Sequence, residues 1–85
     1  MAVYVDNYFG SFGRMRMCHM MADSTPELLE MVDTIGVNRK WIQYPGTGRE
    51  HFDICTSKRA LAVNNGAIEL SARELCTRLV IRKAK

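Results

Sequence analysis

The run Met15-Arg16-Met17-Cys18-His19-Met20-Met21-Ala22-Asp23-Ser24-Thr25-Pro26-Glu27-Leu28-Leu29-Glu30-Met31-Val32-Asp33-Thr34-Ile35-Gly36 changes its periodicity halfway, and that change decides the fold class. Up to Ala22 the side chains alternate. Met15, Met17, His19 and Met21 fall on one face of a strand, and Arg16, Cys18 and Met20 on the other. Neither face is wholly polar, which predicts a central strand. From Leu28 onward the period is helical, because Leu28, Met31, Val32 and Ile35 stand at i, i+3, i+4 and i+7. Thr25 predicts the cap, with Pro26 at the first helical position; Ser24 and Glu27 offer a capping box as the alternative. Gly36 supplies a left-handed stop.

Working outward, Ala2-Val3-Tyr4-Val5 reads as a first strand, closed by Asp6-Asn7. Phe9-Gly10-Ser11-Phe12-Gly13, behind Tyr8, sets aromatics between glycines and predicts a loop with aromatic anchors. Downstream, residues 40–44 predict a short strand around Trp41 and Ile42, followed by a turn at Tyr44-Pro45-Gly46-Thr47-Gly48. Residues 51–55 alternate, with Phe52 and Ile54 opposite His51, Asp53 and Cys55. A second helix starts near Thr56 or Ser57, passes Ala60, Leu61 and Val63, and stops at Asn64-Asn65-Gly66. Residues 67–70 form a short strand. Ser71 and Glu74 then box the start of a last helix, with Leu75, Cys76, Leu79 and Val80 inward. The order β-β-α-β-β-α-β-α predicts an α/β fold, or its α+β variant, with about three helices against one small mixed sheet.

With 85 residues the chain has room for one core, so residues 1–85 are read as a single domain. Hydrophobic residues at 47% and charged ones at 25% match an ordinary globular protein. No apolar run approaches the roughly 18–20 residues of a membrane span. Asp6 and Asn7 break the apolar opening at once, so no secretory pattern forms, and the expected location is the cytoplasm. Cys18, Cys55 and Cys76 are odd in number and make no CxxC pair. A disulfide framework or four-cysteine zinc site is not expected; each is read as a small buried hydrophobe. The net charge of +3 is uneven. Beyond residue 70, five basic residues face one acid, whereas residues 1–70 hold seven basic and eight acidic ones. The basic helix and tail of residues 72–85 suit either phosphate contact or a plain solvated helix end.

Three groups of residues suggest chemistry. A strand entering a helix at Cys55-Thr56-Ser57-Lys58-Arg59 offers free N–H groups, two hydroxyls and two cations, a cradle for phosphate or carboxylate. It lacks the glycines of a P-loop, and a capped helix with two solvated cations explains it equally. His51 and Asp53, two apart on a strand, share a face and suit acid–base work or metal ligation, unless they are inert surface residues. His19 has Asp23 four residues on, an even step, and Asp6 ends the first strand. Together Asp6, His19, Asp23, His51 and Asp53 would hold a divalent ion if they converged. His19 among methionines equally suits a hydrogen-bonded core histidine. The four methionines of the second strand are read as core filling. Nucleophile-elbow, HExxH and GxGxxG patterns do not occur.

Val3-Tyr4-Val5-Asp6, Gly13-Arg14-Met15-Arg16-Met17-Cys18-His19-Met20-Met21-Ala22-Asp23, His51-Phe52-Asp53-Ile54-Cys55-Thr56-Ser57-Lys58-Arg59-Ala60-Leu61-Ala62 and Gly66-Ala67-Ile68-Glu69 resemble a family of small bacterial and phage proteins, the domain of unknown function 4031. Trp41 and Gln43 are similar to its middle segment. The resemblance implies a cytoplasmic bacterial or phage protein and brings no activity with it. It adds weight to Asp6, Arg14, His19, Asp23, His51, Asp53, Lys58 and Arg59, which match the family's polar signature. Asn7 departs from it, standing where the family carries a second acid.

Three functions follow from these residues. The first is a module for a phosphate-bearing ligand, nucleotide or nucleic acid, held by Thr56, Ser57, Lys58 and Arg59 with Arg14, Arg16 and His51 assisting. The second is a metal-dependent phosphoesterase or nuclease, with Asp6, His19, Asp23, His51 and Asp53 as candidate ligands and His51, Asp53 and His19 as candidate catalytic groups. The third is a phage factor that binds a host protein through residues 8–12 and Trp41. No membrane partner is expected.

Overall fold

The long strand predicted from alternation organises the sheet. A computed structural model describes residues 2–7, 10–12, 15–71, 73–75 and 77. In it β1 is Val3–Val5, β2 is Gly10–Phe12 and β3 is Met15–Ala22. They are followed by α1 (Thr25–Ile35), β4 (Phe52–Cys55), α2 (Thr56–Asn64) and β5 (Ile68–Glu69). Met20 pairs with both Val5 and Phe52, and Met17 with both Gly10 and Cys55, all antiparallel. β1 and β2 therefore follow one another along one edge of β3, and β4 takes the other edge. β5 lies parallel to β1, which makes the sheet mixed. The predicted mixed α/β class is the observed one.

α1 and α2 cover one face. Val5, Cys18, Met20, Phe52 and Ile54 point from the sheet into a core closed by Leu28, Met31, Val32 and Ile35 of α1 and Ala62 of α2. Tyr4 and Met21 point the other way and meet Leu75. The capping box that precedes Leu75 is formed: Ser71 N–H donates to Glu74 Oε1, and Glu74 N–H donates to Ser71 Oγ. Tyr8, Arg14, Cys76, Leu79, Val80 and the basic tail lie outside the described residues. Among those described, no helix is long and apolar enough to cross a membrane.

Several local expectations are corrected. Of the two caps the sequence offers for α1, the Ser24–Glu27 alternative is the one used and Thr25 opens the helix: Ser24 accepts from Glu27 N–H and donates to Glu27 Oε1, while the Thr25 hydroxyl donates to buried Glu50. Gly36 closes the helix at φ +79° as expected. The predicted strand at residues 40–44 is instead a 3-10 turn, Arg39–Trp41. The Asn38 side chain caps it and the Arg39 pair with Asp33 holds it. One antiparallel bridge, Gln43 to His51, is what remains of strand pairing there. Residues 10–12, expected in a loop, form β2, because β3 extends past β1 and its open backbone groups need partners. In α2, Leu61 is exposed and Ala62 carries the contact with the core.

Candidate metal centre

Register brings the polar side chains together. β4 pairs with β3 so that His19 stands directly opposite Asp53. Cross-strand partners project to the same face, and His51, two residues before Asp53, projects there as well. This is the face without α1 and α2. The two imidazole rings lie edge to face, 5.4 Å between centroids.

Each ring is oriented from behind. The break between β1 and β2 falls opposite His19, and buried Asp6 fills it: Oδ1 accepts His19 N–H at 2.9 Å and Oδ2 accepts the Nδ1 proton at 2.7 Å. His51 donates its Nδ1 proton to the Arg49 carbonyl, 2.7 Å away. A carbonyl or carboxylate can only accept, so both Nδ1 atoms carry the proton. In each neutral ring the lone pair is then on Nε2. Asp53 is fixed by Gln43, whose Nε2 donates to Oδ2 at 2.6 Å.

Asp53 Oδ1 is left shut away from solvent with no hydrogen-bond partner among the described residues. The imidazole nitrogens facing it are His51 Nε2 at 3.6 Å and His19 Nε2 at 3.8 Å. Those separations are too long for hydrogen bonds. They suit two ligands on one ion: bonds of about 2.1 Å at the tetrahedral angle put ligand atoms about 3.4 Å apart. All three ligand atoms lie within 4.8 Å of one another. Two neutral imidazoles and one carboxylate form a donor set for borderline divalent metals, and three protein ligands leave a position open. The Asp6–His19 and Arg49–His51 hydrogen bonds are the orienting contacts that metal-binding histidines require. The Asp6 hydrogen bond also raises the His19 pKa above its ordinary value, outweighing the opposite effect of burial.

The other candidates go elsewhere. Asp23 accepts from Ala2 N–H and the Tyr4 hydroxyl at the far end of β1. Lys58 Nζ donates to the Ile35 carbonyl at 2.8 Å, fastening α2 to the C-terminal end of α1. Arg59 donates to the Asp6 carbonyl and to Glu69. Thr56 and Ser57 are exposed, and Ser57 Oγ lies 3.2 Å from Cys55 Sγ. That contact, with backbone N–H groups at the helix start, lowers the Cys55 pKa. Cys18 is buried on the core face, where desolvation foremost pushes its thiol up to about 11. Arg16 is exposed, and Arg14 lies outside the described residues. Sequence reasoning missed the roles of Gln43 and the Arg49 carbonyl. The Pro45-Gly46 turn signal does not give this register, because Gln43 and His51 stand symmetrically about Thr47.

Fold and site define a small mixed α/β protein with a two-histidine, one-aspartate cluster on the sheet face opposite α1 and α2. The chain belongs to the family described as "Protein of unknown function (DUF4031)", whose model matches residues 3–82. No curated protein and no solved structure matches it.

Proposed function

We propose that the protein is a metal-dependent enzyme of the hydrolytic type, with His19 Nε2, His51 Nε2 and Asp53 Oδ1 as the ligands of one divalent ion. The observation that carries this reading is the orphaned Asp53 oxygen. A buried carboxylate oxygen without a hydrogen-bond donor is costly, and the imidazole nitrogens facing it, at 3.6 and 3.8 Å, stand beyond hydrogen-bond reach. A cation between the three atoms satisfies them together. An ion held by His19, His51 and Asp53 would supply activation of water for hydrolysis at neutral pH. The chain's own part is positional: Asp6 and Arg49 aim the rings, and Gln43 aims the carboxylate.

The competing reading, a phosphate cradle at the start of α2, is weakened because Lys58 and Arg59 donate to groups within the protein.

Calorimetric titration with Zn²⁺ or Mn²⁺ tests the metal reading. One ion should bind per chain. Asp53→Asn, which keeps shape and removes charge, should weaken binding more than the about 10–100-fold typical of losing an orienting partner. Equal affinity in Asp53→Asn and the unaltered protein, or no binding by either, refutes it.

A further inference from the structure

We propose that the substrate held over this centre is single-stranded nucleic acid, bound by residues 40–49. Its cleavage rests on the metal reading above; its binding does not.

Trp41 and Tyr44 are the most exposed large apolar side chains among the described residues, at 63% and 55%. Each ring has a cation against it. Lys40 Nζ is 4.9 Å from the Trp41 ring centre, and the Arg49 guanidinium is 5.5 Å from that of Tyr44. Exposed rings interleaved with cations are what an unpaired strand requires: bases stack on the rings and phosphates meet the charges. Trp, Tyr and Arg also anchor protein interfaces; what favours a nucleic-acid strand is that each ring carries its own cation beside a cluster suited to a metal ion.

The segment is joined to the metal ligands. Gln43, between the two aromatics, donates to Asp53, and the Tyr44 ring stacks beside His51 at 6.0 Å and 28°. A base resting here brings its phosphate close to the centre.

Tyr44 is also pre-set. Its backbone lies in the left-handed region at φ +52°, a rare conformation for a bulky residue. Thr47 holds it there, donating from both N–H and hydroxyl to the Tyr44 carbonyl. Buried Glu50 braces the same loop by accepting Gly46 N–H and the Thr25 hydroxyl. A glycine-containing loop fixed in this way has little ordering left to undergo when a ligand arrives.

The reaction implied is hydrolysis of a phosphodiester. The oxygen of water bonds to phosphorus, and the bond from phosphorus to one sugar oxygen breaks. One water proton ends on that sugar oxygen, giving a phosphate monoester and an alcohol.

Trp41 is the sole tryptophan, so its emission reports directly on the segment. Titrating metal-free and Zn²⁺-loaded protein with a mixed-sequence single-stranded DNA 12-mer should quench it saturably in both. The matching duplex should bind more weakly. Tyr44→Ala should weaken single-strand binding about tenfold. Arg49→Gln should lower the slope of affinity against salt by about 0.7. Emission unmoved by the oligonucleotide, equal binding of duplex, or insensitivity to salt overturns the inference. Absence of quenching in protein that binds metal sinks this inference and spares the metal centre. Quenching in protein that binds no metal does the reverse.

Discussion

His19 shows how one side chain is tuned by its neighbour. The hydrogen bond to Asp6 favours the imidazolium, so the folded, metal-free chain holds this proton above the ordinary pKa. The sign follows from linkage. The stabilisation is fully present below the unfolded-state pKa, about 6.5, and is lost as pH rises through the higher folded value. A metal needs Nε2, the nitrogen that takes up the imidazolium's second proton, unprotonated, so ion binding should strengthen with rising pH across that window and release a proton. NMR titration of the His19 ring in metal-free protein checks the cause. Asp6→Asn should move its midpoint downward, and an unmoved midpoint would show that Asp6 is not responsible. Asn keeps an acceptor for the His19 N–H, so the strand junction survives the change.

Between elements, the joint that matters is where α1 ends and α2 begins. Gly36 takes φ +79°, and a Cβ placed there would stand 3.2 Å from Lys58 Nζ, the atom that caps Ile35. Gly36→Ala therefore adds left-handed strain to a displaced helix–helix tie. A loss of about 1–2 kcal/mol from the backbone alone is expected, read as a lower urea midpoint at unchanged slope. An unaltered midpoint would mean that the turn relaxes freely. The consequence reaches the site, since α2 follows directly on β4, which carries Asp53.

For the whole molecule, an ion that binds only the folded chain adds stability by mass action. Metal at 100 times its dissociation constant contributes about 2.7 kcal/mol. In a domain of this size that raises Tm by roughly 10–20 °C. The shift should vanish with a chelator and be missing in Asp53→Asn. A melting curve unchanged by Zn²⁺ or Mn²⁺ in the unaltered protein would contradict a site assembled by folding.

Short-range pattern alone determined much of this protein. The alternation of β3, the stripe of α1 on Leu28, Met31, Val32 and Ile35, the Gly36 stop and the Ser71–Glu74 box are all local, because each follows from a repeat or a cap within a few residues. Even the shared face of His51 and Asp53 was readable from their spacing. What tertiary structure alone decided was register. His19 meets Asp53 because Cys18 and Ile54, Met20 and Phe52 are neighbours on the core side; a slip of one residue would send Asp53 to the opposite face. Likewise, no local signal says that Asp6 fills a gap between β1 and β2, or that Lys58 reaches the Ile35 carbonyl instead of a phosphate. Periodicity is written along the chain, whereas contacts between distant residues are fixed only when the whole core packs at once.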